Sequence, residues 1–68
     1  MTMTMTALEA FQASATAEVY LNINGERWMI QTGMRHSVGV AMVLRGPDGA
    51  EGRVDCPAGL EIEVEVFE

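Results

Sequence analysis

The sequence predicts an α+β domain: one short N-terminal helix packed on a mostly antiparallel sheet of four to five strands built from hairpins. Three observations predict it. A capping motif opens an alanine-rich stretch near the N-terminus. An Asn-Gly pair separates two alternating apolar segments. The last ten residues, GLEIEVEVFE, alternate glutamate with aliphatic side chains. At 68 residues the chain makes a single domain spanning 1–68. A domain this small buries a modest share of its surface, so its stability rests on an efficient core or on self-association.

The elements follow in chain order. Residues 1–5 of MTMTMT alternate like a short strand or form a disordered tail, and both readings stay open. Thr6 followed by Glu9 is a capping box, in which hydroxyl and carboxylate each take one orphan amide. A helix is predicted over 7–16, with Leu8, Phe11 and Ala15 on one face. Alone it would be marginal at that length, so the stripe must dock. EVYLNI and ERWMIQT flank Asn24-Gly25, the residues a type I′ turn requires. Counting back from the turn pairs Leu21 with Trp28 and Val19 with Ile30. These share a face with Ile23, while Tyr20, Asn22, Arg27 and Met29 take the other.

GMRHS reads as a loop. VGVAMVLR is apolar on both faces, which predicts a central strand covered on both sides. GPDG turns the chain into AEGRVDC, PAG breaks it again, and LEIEVEVF closes it. In that segment Leu60, Ile62, Val64 and Val66 point to the core, and Glu61, Glu63 and Glu65 point away.

Charge narrows the functional classes. Ten acids face four bases, all arginine, for a net charge of −6. Binding nucleic acid or an anionic membrane requires the opposite sign; a basic protein partner suits this one. The single cysteine fits a reducing compartment. The first six residues have no basic segment or long apolar run, so no signal peptide is predicted and the expected location is the cytoplasm.

No reaction is legible, and the chain reads as a non-enzyme. His36 and Ser37 are adjacent in sequence, which does not build a triad. Cys56 follows Asp55, whose charge blunts a thiol, and reads as a small core residue. One histidine and one cysteine do not supply a zinc site, and the glycines show no phosphate-loop spacing. No cofactor or metal is predicted. Arg27, Arg35, Arg45 and Arg53 are scattered and read as intramolecular partners.

The candidate partner-binding residues are Glu61, Glu63 and Glu65. On a strand their side chains repeat every ~6.6 Å, close to the spacing of phosphates along a nucleic-acid backbone. Asp55, Glu51 and Glu68 extend the row if the neighbouring strand pairs alongside. The plain alternative is a solvated strand face, or charge that protects an edge strand from unwanted pairing. A second candidate surface is apolar. Met29, Met34 and Met42, with Tyr20 and the second face of VGVAMVLR, form a patch suited to a homodimer or an assembly contact.

Small size, acidity, a lone cysteine and a helix-plus-hairpins layout together resemble phage-encoded counter-defence proteins, the anti-CRISPR inhibitors in particular. Those proteins share no motif, so no residue is carried over from them. The resemblance implies binding to a subunit of a CRISPR surveillance complex in the host cytoplasm, with the carboxylate row acting as a DNA mimic. The alternative function is a phage or bacterial structural module that binds through its apolar sheet face, with acidity serving only solubility.

Overall fold

Why the Met/Thr repeat at the N-terminus is ordered becomes clear from its partner. A computed structural model describes residues 1–68. In it Thr2–Thr6 is a strand, β1, running antiparallel to Glu61–Phe67, β6. Met3 and Met5 pack against the core cluster. The threonines alternate to the opposite face, opposite the glutamates of β6. This strand raises the total to six, against the four to five predicted.

The capping box forms as expected. The Glu9 amide donates to Thr6 Oγ1 at 3.1 Å, and the Thr6 amide donates to Glu9 Oε1 at 2.9 Å. The helix α1 is shorter than predicted, Ala7–Ala13, because Ser14–Thr16 turn the chain towards the next strand. Its buried face is also different. Ala7 and Ala10 are fully buried, Leu8 and Phe11 are half-buried at the flanks, and Ala15 is exposed. Small side chains let the helix axis approach the sheet. Two helix amides, of Ala7 and Leu8, donate to the carbonyls of Leu60 and Ala58 in the last turn, so tertiary contacts satisfy the helix start.

β2 (Glu18–Ile23) and β3 (Glu26–His36) form the predicted hairpin. Asn24 and Gly25 both have positive φ, 53° and 82°, and Leu21 faces Trp28. β3 continues through the segment read as a loop, because a bulge at Gln31 lets it keep pairing. Ile30 faces Leu44, yet Thr32 faces Val43. The extra residue inverts the alternation. Before it Trp28 and Ile30 point inward; after it Gly33 does, and Met34 and His36 point outward. Phe11 of the helix rests against the bare Gly33, where a Cβ would lie 2.9 Å from its ring.

β4 (Gly39–Arg45) supplies Val40, Met42 and Leu44 to the core, each at most 1% exposed. Its other face is not covered as predicted: Ala41 and Val43 remain half-exposed, since no second layer lies outside the sheet. Met42 points inward and is removed from the proposed outer apolar patch. A short turn, Pro47–Gly49, leads to β5 (Glu51–Pro57).

The strand order is β1-β6-β2-β3-β4-β5, antiparallel throughout. β5 and β6 therefore lie four strand spacings apart, ~19 Å in a flat sheet. Only Ala58, Gly59 and Leu60 connect them, a link that reaches ~15 Å fully stretched. The sheet must curl. It does so around the helix, bringing Val54 and Cys56 of β5 to line one hollow with Leu21, Ile23 and Ile62. Leu60, predicted to point inward, sits in the connection and is 45% exposed. No helix is long and apolar enough to cross a membrane.

Candidate functional site

β6 lies inside the sheet, between β1 and β2. The ladder to β2 covers only Val64–Phe67, so Glu65 is flanked by strands on both sides. Glu61 and Glu63 are paired with β1 alone, and Glu63 borders a hollow on its other side. On the outer face, Glu61 stands beside Thr6, Glu63 beside Thr4, and Glu65 beside Thr2 and Tyr20. The strand is extended, as the sequence predicts, and Glu61 and Glu63 are exposed.

Glu65 is different. Arg27 reaches across β2 and grips it with two hydrogen bonds, Nε to Oε1 at 2.9 Å and Nη2 to Oε2 at 2.7 Å. The bidentate fork neutralises this carboxylate. Contact with Glu65 raises the guanidinium further above its ordinary range. The same guanidinium lies 6.0 Å from the Tyr20 ring centroid and 5.6 Å from that of Phe67. Those two rings meet edge to face at 5.6 Å. The Tyr20 hydroxyl donates to Glu18 Oε1 at 2.9 Å, and this bond holds the phenol above its usual pKa. Glu65 thus belongs to a cross-strand clamp, and the expected row of three free carboxylates is a row of two.

The expected extension of the row also fails. Glu51 and Asp55 sit on β5, which pairs only with β4 and meets β6 across the hollow that Val54 and Cys56 share with Ile62 and Glu63, not alongside it in the ladder. They share an outer face with Val43 and Ala41 of β4, because Arg53 faces Val43 and Asp55 faces Ala41. Asp55 is engaged as well: its Oδ1 lies 2.8 Å from His36 Nε2, while the Val38 amide donates to Nδ1 at 3.4 Å. With Nδ1 accepting, Nε2 carries the proton and donates to Asp55. Glu68 follows the end of β6 and is exposed.

Of the arginines, Arg27 pairs with an acid, and Arg45 donates to the Gly49 carbonyl and the Gln31 side chain at 3.1 Å each. Nowhere do three His, Cys, Asp or Glu side chains gather as a metal-ligand set.

The outer face of β3, β4 and β5 carries a shallow hollow of ~420 Å³ bordered by Thr32, Met34, Ala41, Val43, Arg53 and Asp55. Met34 is 69% exposed there. The sequence signals for this surface were the apolar second face of β4 and the methionines; the bulge that turns Met34 outward had none.

Cys56 packs against the core from β5. Burial first, and the neighbouring Asp55 charge second, push its thiol pKa up. At about pH 8 it should therefore alkylate several-fold more slowly than a free cysteine, and speed up only above the ordinary thiol range. Stopped-flow labelling of the folded and urea-unfolded protein checks this; equal rates would refute it. Compared with protein-family models, curated proteins and solved structures, the chain matches none.

Proposed function

We propose that the protein is a non-catalytic, acidic binding protein that blocks a basic protein surface with the carboxylates of Glu61 and Glu63. One observation carries the reading. These two acids stand exposed on β6, flanked by threonines, with no arginine of the same chain reaching them. Pairing with β1 keeps this segment extended and sets the two side chains on one face, so less conformational entropy is lost when a partner engages them than on a free loop. Glu51 and Glu68 contribute to the surrounding negative field from other parts of the surface.

The narrower form of the proposal is an inhibitor of the anti-CRISPR kind, occupying a groove in which a nucleic-acid-handling complex normally holds phosphates. Small size and a net charge of −6 support it. With Glu65 clamped, the phosphate imitation rests on two successive carboxylates.

A second reading is favoured by Met34, Ala41 and Val43: an assembly module that binds through the outer face of β3–β5. Salt separates the two, because screening weakens charge-driven contacts and leaves apolar ones. The test is affinity capture from cell lysate at low and high salt, with wild type and the E61Q/E63Q variant. The double substitution should lower partner affinity at least about tenfold, ~1.4 kcal/mol, at low salt, with the fold intact by circular dichroism. Undiminished capture by the folded variant would overturn the carboxylate reading. Salt-resistant capture that is lost in Met34→Ser would establish the second.

A further inference from the structure

The free edge of the sheet at β5 has a backbone polarity that can be read from its neighbours. The Gly46 amide donates to the Ala50 carbonyl, which makes that pair a hydrogen-bonded one. Alternation along an antiparallel ladder then gives Gly52, Val54 and Cys56 the bonded positions against β4. The N–H and C=O groups of Glu51, Arg53 and Asp55 consequently point away from the sheet. The same rule applied at the other edge, from the mutual Met1–Val66 bonds, turns the Thr6 amide outward, where Glu9 takes it. The β1 edge is thus partly closed by the capping box. No hydrogen bond within the chain engages the backbone of Arg53 or Asp55 on its outward side.

Edges are commonly protected by charge of one sign, which repels a second copy. β5 instead alternates Glu51, Arg53, Asp55 along its outer face. We infer that β5 is a self-pairing edge: two copies join antiparallel about a two-fold axis at Val54, so that Arg53 of each faces Asp55 of the other. In this register the outward backbone groups of residues 53 and 55 exchange four hydrogen bonds across the axis. Val54 meets its counterpart, and Cys56 faces Gly52 of the second copy, all on the inner side. Pro57 ends the ladder, since it has no N–H and its carbonyl is taken by the Leu60 amide at 3.1 Å. A shift of one residue, to an axis at Arg53, would set arginine against arginine and Glu51 against Asp55, which like-charge repulsion disfavours. The chemistry of the edge selects the Val54 register. Asp55 keeps Oδ2 for this contact while Oδ1 holds His36. Val54 and Cys56 share a hollow with Ile62 and Glu63, but the pairing draws on backbone groups, Arg53 and Asp55 and does not depend on the role of Glu61 and Glu63.

A cysteine at 54 would face its copy at the Cα separation of a non-hydrogen-bonded pair, ~4.5 Å, within disulfide reach. The native Cys56 residues would sit four residues apart along the strands and out of reach. The V54C/C56A variant should therefore form a disulfide dimer under mild oxidation, and the wild type should not. In sedimentation equilibrium at roughly millimolar chain, where a Kd of about 1 mM leaves a large dimer fraction, wild type should self-associate. R53D should reduce association at least about tenfold, and the charge swap R53D/D55R should restore it. A wild type that stays monomeric at that concentration would overturn the inference, as would a folded V54C/C56A that never cross-links or a folded swap variant no better than R53D.

Discussion

Leu44→Ala is expected to lower stability by about 2–5 kcal/mol. Leu44 is 1% exposed near the end of β4, opposite Ile30 on one side and Gly52 on the other. Truncation removes transfer free energy and leaves a cavity that a paired strand does not close. The whole domain, at 68 residues, has a stability of roughly 3–10 kcal/mol, so a single truncation removes a large part of it. Urea titration followed by circular dichroism should show a strongly reduced midpoint, with Leu44→Met, similar in volume, losing less than about 1.5 kcal/mol. An alanine variant with a wild-type midpoint would mean that the inner face of β4 is not the core.

Gly39→Ala should be comparably damaging for a different reason. Gly39 is buried at the start of β4, and a Cβ there would overlap the Cys56 carbonyl oxygen and lie 3.2 Å from Pro57 Cα. Both obstacles are backbone of the paired strand, so relief requires separating β4 from β5. Overpacking commonly costs about 1–3 kcal/mol, and the upper end or more is expected where the backbone must move. Gly59→Ala is the control: its Cβ meets nothing within 4 Å, and a change within about 0.5 kcal/mol is expected. Thermal melts of both variants decide it; equal melting temperatures would show that β4 and β5 approach less closely than described.

Much of the local structure was legible because local chemistry specifies it. The Thr6–Glu9 box and the Asn24-Gly25 turn are satisfied by neighbours in sequence, and the Leu21–Trp28 register follows from counting back from the turn. Pairing between distant segments was not legible. A three-residue link such as Ala58–Gly59–Leu60 resembles a hairpin connection, yet the strands it joins do not pair. Nothing in LEIEVEVF announces that it will lie between β1 and β2. The bulge at Gln31 left no side-chain signature, and it alone decides that Met34 faces outward. At the candidate site, exposure of Glu61 and Glu63 followed from alternation. The Arg27–Glu65 clamp did not, since its partners are 38 residues apart and on strands that are not neighbours.

The position of β6 has a further consequence for how the molecule is made. A nascent chain that has emerged only as far as β5 can zip β2, β3, β4 and β5 together, but β1 has no neighbour to hold it. The helix start likewise awaits the carbonyls of Ala58 and Leu60. Closure comes when the acid-bearing segment slides between two strands already synthesised, the most non-local pairing in the molecule and hence a slow one. Until then the inner sides of β2 and β4 stand open to water, so acquisition of the native state waits on β6.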